Sequence, residues 1–263
     1  MPIAKLDRTI LSLKGDDVCG FLGGLITNSI ADGLTYSALL TPQGKIIADF
    51  FIHKQSETHV FIETPAKFGK ALMMRLKMYK LRAKIDLSDI SDDFEVYALW
   101  DGEGDIGLTD PRLKGLGQRM IAEFGTLSPE HDADDYDTHR LALSIPESQW
   151  DFESEQVFPA DINMDQLNGI DYKKGCFIGQ EVASRMHRKT DVRKRMRGLK
   201  LSSEAAKGDG VFTDTRNIGT VFHVNGDLGM GLIRLDRLAK AQDAIMVNDH
   251  PVEVMEPHYG HTS

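Results

Sequence analysis

Hydrophobic and polar positions along the first eighty residues follow two different periods, which together predict an α+β arrangement. Apolar residues at every second position favour strands, whereas apolar residues three or four apart favour helices. The predicted elements are a strand over 9–13, a helix capped by Asp16 or Asp17, a hairpin with strands over 36–40 and 46–52, a strand over 59–63, and a helix that opens at Thr64 and Pro65. This second helix presents a core-facing stripe made by Phe68, Leu72, Leu76 and Tyr79.

The remainder of the chain is predicted to contain strands, an irregular middle and a small all-β unit. Strands are expected between residues 84 and 100, and the acidic segment 128–137 is expected to be a loop or a boundary. Residues 149–168 carry few periodic positions. From Arg195 onward, short apolar runs alternate with turn signals such as Asn225-Gly226, a spacing typical of a small β-barrel.

Composition is that of a globular protein from a reducing compartment. With 263 residues, 41% hydrophobic and 27% charged, the chain can bury the cores of two or three domains. Its two cysteines, Cys19 and Cys176, cannot build a disulfide framework, and a stable iron–sulfur cluster usually needs about four. It has no apolar run of about 18 residues and no apolar stretch after Met1. We therefore expect a cytoplasmic protein with no membrane segment and no resident metal.

Charge is distributed unevenly, and this unevenness indicates an anionic partner. The net charge is −9, but residues 185–200 contain eight Lys or Arg and one Asp, so this strip carries +7 and the rest of the chain −16. A cationic strip on an acidic body favours an anionic ligand over general coating of nucleic acid. The alternative is a solvated, charged helix face.

The most informative segment is 173–181, in which Cys176 stands between Gly175 and Gly179, beside two lysines and at the predicted start of a helix. Glycine permits tight turns and close approach of a ligand. A helix that begins near Gly179 directs free N–H groups and the positive end of its dipole towards the cysteine. Together with Lys174, these conditions favour a thiolate. The alternative is a buried cysteine in a strand-to-helix turn.

Residues Lys174 to Glu181 match all eight positions of the motif K-G-C-[FY]-x-G-Q-E, on which the chain resembles the YgfZ-type folate-binding proteins. That family includes mitochondrial iron–sulfur assembly relatives and is related to the T-protein, the aminomethyltransferase of the glycine cleavage system. Shorter anchors in the family's order are Asp17 to Leu22, Thr27-Asn28, Leu40 to Asp49, His139-Arg140-Leu141 and Ile145-Pro146. The resemblance therefore extends through most of the chain.

The resemblance implies a fold of three α+β domains arranged like a clover leaf, with a discontinuous first domain and a C-terminal β-barrel. On this chain the first domain takes residues 1–50 and 136–190, the second takes 51–135, and the barrel domain takes 191–263. In the family, a tetrahydrofolate occupies the central channel.

The resemblance also implies a function: a tetrahydrofolate-binding accessory protein for assembly or repair of iron–sulfur clusters, supporting cluster enzymes that include tRNA-modifying ones. Its partners would be such enzymes or assembly factors, and the chain itself would be a monomer. Cys176 is then the active residue, as a transient cluster or persulfide ligand or a thiol that protects folate, and Lys174 keeps it ionised. The residues nominated to contact folate are Asp49, Gln180 and Glu181 at the pterin edge, Tyr172 and Phe177 as walls, and Arg185 and Arg188, with Lys174, at the glutamate tail.

Two other functions stay open. The first is a folate-dependent aminomethyltransferase, but T-proteins carry paired acids where this chain has Ala48-Asp49, and a Glu where it has Ala142. The loss of two acids that would handle the pterin and the aminomethyl nitrogen argues against methylene transfer. The second is a module that binds tRNA directly through residues 185–200. It predicts a steep salt dependence, but no nucleic-acid-binding signature supports it.

Overall fold

A computed structural model describes residues 1–81, 83–102, 104, 106–188, 192–213 and 216–259. The strands of its first half are β1 (Ile3–Leu6), β2 (Arg8–Gly15), β3 (Leu34–Leu40), β4 (Ile46–Ser56), β5 (His59–Pro65), β6 (Ile85–Asp89), β7 (Phe94–Leu99), β8 (Leu108–Thr109) and β9 (Gln118–Glu123). The strands of its second half are β10 (Lys194–Leu201), β11 (Gly210–Thr213), β12 (Arg216–Asn225), β13 (Leu228–Arg234), β14 (Ile245–Val247) and β15 (His250–Val254). The helices are α1 (Val18–Gly23), α2 (Ala66–Tyr79), α3 (Ala133–Ala142), α4 (Gln180–Arg188) and α5 (Leu235–Leu238).

The N-terminal part is organised by a five-stranded antiparallel sheet in the order β3-β4-β5-β2-β6. Helix α2 packs on this sheet through Phe68, Leu72 and Leu76, which share one core cluster with apolar residues of β2, β4 and β5. The predicted hairpin, strands and stripe are confirmed here, except that Tyr79 is 37% exposed. The predicted cap of α1 is also confirmed, because the Asp17 carboxylate accepts a hydrogen bond from a backbone N–H in the first turn.

Two further sheets complete the structure. A four-stranded antiparallel sheet has the order β1-β7-β9-β8, and a closed barrel has the order β10-β13-β12-β11-β14-β15. The predicted turn at Asn225-Gly226 joins β12 to β13, and Gly226 supplies the positive φ of 61° that it requires. The C-terminal barrel is therefore confirmed. None of the helices described here is both long and apolar enough to cross a membrane.

The acidic segment 128–137 is only in part the loop that its composition predicted, because α3 begins within it. The Asp132 side chain accepts hydrogen bonds from the N–H groups of Asp134 and Asp135 (both 3.0 Å), and the Asp135 carboxylate accepts one from the Asp132 N–H (3.3 Å). This reciprocal pair is a capping box, and carboxylates in a first turn are favoured by the helix dipole. The acids therefore start a helix.

The predicted start of α2 is also corrected. Thr64 is not its cap, because the residue directly before the first turn is Pro65 and the Thr64 hydroxyl instead donates to the backbone carbonyl of Asp49 (3.0 Å). Among the described residues, no side chain caps the helix at this end.

The domain boundaries remain a prediction. Residue 50 lies inside β4, a strand that pairs with both β3 and β5. The irregular segment 149–168 joins the same sheet, because the Ile46 N–H donates to the Val157 carbonyl (3.0 Å).

Candidate functional site

The cysteine motif forms the loop before α4, and its first end is fixed by a carboxylate. Asp171 accepts hydrogen bonds from the N–H groups of Lys173 (2.8 Å) and Lys174 (3.1 Å) and from the Ser29 hydroxyl (2.6 Å). The bond from Ser29, followed by those from the two N–H groups, lowers the pKa of Asp171. The ionised carboxylate therefore ties the motif to the connection between α1 and β3.

Lys174 points towards the same connection. Its ammonium group donates to the carbonyl oxygens of Ile26 (2.9 Å) and Asn28 (2.8 Å), and it lies 5.6 Å from the centre of the Phe177 ring. Burial lowers the pKa of this ammonium group, and the nearby Asp171 opposes the shift. These contacts make Lys174 an anchor of the loop. Its effect on the ionisation of Cys176 remains a prediction.

The second end of the motif packs so closely on the β3–β4 turn that it requires glycine. Gly179 has a φ of +79°, and a Cβ atom there would lie 2.6 Å from the carbonyl oxygen of Thr41. Gly44, in the turn itself, has a φ of +84°, and its Cβ would lie 2.8 Å from that of Val182. Positive φ and close backbone contact both select glycine. The hairpin turn therefore determines where α4 begins.

Cys176 lies between these two anchors, and its side chain is exposed. The helix predicted after it is confirmed, because α4 starts at Gln180. The alternative of a buried cysteine is wrong. Cys19, by contrast, is half-buried in α1, where burial and then the Glu57 carboxylate raise the pKa of its thiol.

Helix α4 carries an open groove of about 540 Å³, which we call the α4 groove. It is lined by Gln180, Glu181, Ser184, Arg185 and Arg188. Spacings of three and four residues place these side chains on one helix face. Four of them are ligand residues nominated from the sequence, and the structure brings these four together. Two guanidinium groups beside an amide and a carboxylate can bind an anion that also carries hydrogen-bonding groups.

The two nominated aromatic residues have other neighbours. The Tyr172 ring stacks on the exposed His187 ring, with centroids 3.8 Å apart and an angle of 12° between planes. Burial and then the Asp165 carboxylate raise the pKa of Tyr172. Phe177 is buried in a core cluster. Neither ring is among the described residues that line the α4 groove.

Asp49 also lies apart from the α4 groove. It is buried on β4, and its carboxylate accepts hydrogen bonds from the hydroxyl groups of Tyr36 (2.8 Å) and Ser148. Burial, and then this carboxylate, raise the pKa of Tyr36. A ligand would have to displace these hydrogen bonds to reach Asp49.

Next to Asp49 lies a group of buried charged side chains that the predicted site does not include, which we call the central charge network. Its members are Arg8, Glu63, Asp110, Arg112, Arg119 and Glu147. The Arg112 guanidinium lies over the Tyr36 ring, 5.5 Å from its centre, which places the network beside Asp49. These residues come from β2, β5, β9 and the segments between elements, so they join separate parts of the chain.

Glu63 is the most heavily paired carboxylate of the network. It accepts hydrogen bonds from Arg119 and pairs with His53 (2.9 Å), and it lies 3.5 Å from Nε of Arg8. Burial opposes its ionisation, but Arg119, His53 and Arg8 outweigh that effect and hold the pKa of Glu63 far below its usual range. Burial and then Arg119 lower the pKa of Arg8 to about 10.

Arg112 forms ion pairs with both of its acidic neighbours in the network. Its guanidinium donates to Asp110 (2.8 Å), to Glu147 (3.1 Å) and to the Tyr136 hydroxyl (3.0 Å).

One signal in the sequence could have indicated the central charge network, namely a charged residue inside an apolar strand. Glu63 follows Val60, Phe61 and Ile62 in β5, a position where an unpaired carboxylate would be strongly unfavourable.

The cationic strip 185–200 is not one surface. Its first two arginines lie on α4, whereas Arg195 and Arg197 are buried in β10. Arg195 makes two hydrogen bonds to the Asp165 carboxylate (2.8 and 2.7 Å). Residues 189–191 lie outside the described part of the chain. The interpretation of the strip as a single charged helix face is therefore wrong.

The fold defines the class of this protein. The structure resembles that of the glycine cleavage system aminomethyltransferase T from Bartonella henselae, with a TM-score of 0.75 over 97% of this chain and 85% of that chain, at 14% identity. Residues 193–260 match the family model described as the CAF17 C-terminal beta-barrel domain. The protein thus has the aminomethyltransferase-like α+β fold with a C-terminal barrel, which confirms the predicted fold class.

Sequence relatives identify the family within this class. The chain is 30% identical to the iron–sulfur cluster assembly factor IBA57 homolog, mitochondrial, of Pyricularia oryzae, over 89% of this chain and 71% of that protein. It is 31% identical to the Neurospora crassa homolog, over 76% and 53%, and 28% identical to that of Mycosarcoma maydis, over 72% and 54%. The chain belongs to the IBA57 family of iron–sulfur cluster assembly factors.

These relatives also differ from this chain in length, and their names state a cellular location. The chain spans about half the length of the Neurospora crassa and Mycosarcoma maydis proteins. All three relatives are described as mitochondrial, so the expectation of a cytoplasmic location is wrong.

Proposed function

We propose that this protein is an accessory factor for assembly or repair of iron–sulfur clusters, and that it acts through Cys176. The observation that carries the proposal is the exposed thiol on a loop held at both ends, by Asp171 and Lys174 on one side and Gly179 on the other. A fixed backbone with a reachable thiol suits a ligand that binds and releases its cargo. The names of the relatives support the same function.

The cluster would be shared with a partner. In this proposal the Cys176 thiol loses its proton and binds one iron as a thiolate. The only other cysteine, Cys19, is half-buried in α1, and about four cysteine ligands are usual for a cluster. A partner, either an assembly factor or a client enzyme, therefore supplies the remaining ligands. Enzymes that modify tRNA are among the proposed clients.

The test compares the two cysteines in cells that lack the wild-type protein. We expect Cys176→Ser to leave iron–sulfur enzymes at the activity of the deletion cells, whereas Cys19→Ser restores wild-type activity. Equal protein levels on a blot exclude a folding defect. Full restoration by Cys176→Ser would refute the role of this thiol.

Tetrahydrofolate, or a derivative of it, is the small molecule that we propose for the α4 groove. The exposed guanidinium groups of Arg185 and Arg188 fit its anionic glutamate tail, and Gln180 and Glu181 offer hydrogen-bonding groups beside them. Asp49 and Phe177 are buried elsewhere and would contact folate only after rearrangement. The proposed folate contact therefore rests on the α4 side chains.

Titration calorimetry under anaerobic conditions tests this contact. We expect tetrahydrofolate to bind the wild-type protein and Cys176→Ala alike, and Arg185→Ala/Arg188→Ala to weaken binding by about tenfold or more, because hydrogen bonds to charged groups contribute roughly 1.5–3 kcal/mol. The matched control is Lys200→Ala, an exposed cation on the barrel. Absence of binding to the wild-type protein would remove folate from the proposal.

Two features of the structure argue against the alternative functions. Ala48 is buried opposite Leu39 in the β3–β4 pair, so no acid stands there to meet an aminomethyl group. Arg195 and Arg197 are buried within the strip that direct tRNA binding would use.

A further inference from the structure

Helix α2 has an apolar stripe on its outward side as well as on its core side. The stripe is made by Met74 (58% exposed), Met78 (60%) and, just beyond the helix, Leu81 (88%). An ordinary surface helix needs one apolar stripe, which here is the stripe buried against the five-stranded sheet. The outward stripe is thus not explained by the packing of the described chain.

Basic residues border this outward stripe. At 100° per residue, Lys67, Lys70 and Lys77 fall on the same side of α2 as Met74 and Met78. Helix α2 contains four Lys or Arg residues and no Asp or Glu. We call these five residues, together with Leu81, the α2 outer face.

The charge of this face is the opposite of that of the whole chain, which is −9. Lys67 contacts Glu153 (3.4 Å), but Lys70 and Lys77 form no ion pair with the residues that the structure describes. Their charges are therefore available to carboxylates of another molecule. Methionine side chains are flexible and polarizable, and they are common on surfaces that bind other proteins.

We propose that the α2 outer face docks a protein partner whose contact surface has an apolar centre and carboxylates around it. The fourteen residues of α2 span about 21 Å, which is enough for a small, transient interface but not for an obligate one. A partner that must leave after each encounter fits such an area.

The α2 helix and the cysteine loop pack on the same core cluster. Ile178 of the motif packs against the same core cluster as Phe68, Leu72 and Leu76, the buried side of α2. A partner docked on α2 would thus bind a helix of the same packed core that supports the loop. The docking surface itself depends only on α2 and goes beyond the function proposed for Cys176.

The first step of the test identifies what covers the face. A photo-crosslinking residue, p-benzoylphenylalanine, replaces Met78 in the full chain in its own cells, and the control places it at Phe212, an exposed apolar position on the barrel. We expect a protein with an acidic surface to be crosslinked from position 78 and not from position 212.

The second step measures affinity with that protein after purification. We expect Lys70→Glu/Lys77→Glu and Met74→Ser/Met78→Ser each to raise the Kd at least tenfold, and higher salt to weaken the wild-type complex. Lys200→Glu/Lys240→Glu, which changes the net charge by the same amount at exposed positions elsewhere, should leave the Kd within twofold. Unchanged melting temperatures show that the variants fold.

Several results would overturn the proposal. They are crosslinks only to a second copy of this chain, binding of the face to vesicles rich in phosphatidylserine in place of a protein, no crosslink from position 78, or a Kd that the α2 variants do not alter. Loss of cluster-enzyme activity in Cys176→Ser cells with docking intact would separate the two proposals.

Discussion

The central charge network and the α4 groove use the same two kinds of side chain in opposite ways. In the network, arginines and carboxylates are buried and paired with each other, as in the contacts of Glu63 with Arg119 and of Arg112 with Asp110. On α4, Arg185, Arg188 and Glu181 are exposed along an open groove. The first arrangement holds separate strands together, and the second leaves its charges for a ligand.

The difference shows that residue type alone does not identify a site. A buried ion is stable only when its partners are in place, so each member of the network is fixed by the others. An exposed ion contributes little to folding and can be recruited for binding.

Glu63→Gln should break the network. It removes the charge that Arg119, His53 and Arg8 share, and loss of one partner from a buried pair typically costs about 3–5 kcal/mol. Urea unfolding measures the change in the free energy of unfolding. The matched control on α4 is Glu181→Gln, for which we expect a change within about 0.5 kcal/mol. Equal effects of the two substitutions would contradict the contrast.

Gly179→Ala should destabilise the protein, because the second end of the exposed loop requires glycine. The substitution forces a side chain into positive φ and against the Thr41 carbonyl, so we expect a loss on the order of 1–3 kcal/mol. Gly175→Ala is the control, because a Cβ there would have no described atom within 4 Å. Thermal unfolding of both variants measures the effect. If Gly175→Ala is the more destabilising, the packing of Gly179 on the β3–β4 turn does not fix the motif.

The two cysteines should differ in reactivity towards iodoacetamide. Cys176 is exposed, whereas Cys19 is half-buried and has a raised pKa, so we expect Cys176 to be alkylated at least about tenfold faster at neutral pH. Mass spectrometry of peptides after timed quenching measures both rates in one sample. Faster labelling of Cys19 would mean that the loop is covered in solution.

A smaller, pH-dependent effect is expected where an ion pair is only partly covered. A hydrogen bond from Lys5, followed by those from Tyr97 and the Gly125 N–H, lowers the pKa of Glu95 from 4.5 to about 2. Because the folded pKa is the lower one, this stabilisation is present above pH 4.5 and is lost as the pH falls towards 2. The fall in melting temperature over this range should therefore be smaller for Glu95→Gln than for the wild-type protein. If the melting temperatures of the two proteins fall in parallel, Glu95 does not contribute to the pH dependence of stability.

Local features of the fold were predictable because their causes are local. The hairpin at 41–45, the turn at Asn225-Gly226 and the helix after Gly179 each follow from a few adjacent residues whose backbone preferences agree. The capping box of α3 is also local, but the acidic composition of this segment by itself predicts a loop. The motif signal at Asp132 and Asp135 could have corrected this.

The central charge network was not predictable in the same way. Arg8 and Glu147 are 139 positions apart, and Arg119 and Glu63 are 56 apart, so neither pairing follows from spacing. The same reason explains the burial of Arg195 and Arg197, which the sequence places in one cationic strip. The carboxylate that pairs with Arg195 belongs to Asp165, thirty positions earlier. For the α4 groove, the sequence correctly predicted four residues that lie together. It also predicted Asp49, whose carboxylate instead accepts a hydrogen bond from Tyr36.

The distance between Arg8 and Glu147 has a consequence for synthesis on the ribosome. The N-terminal strand β2 emerges first, yet one of the carboxylates that Arg8 requires is made more than half a chain later. Until then the guanidinium has to remain hydrated, because burial of a charge without its partner is strongly unfavourable. We expect this protein to acquire its final structure only after most of the polypeptide has left the exit tunnel, and to depend on chaperones during that interval.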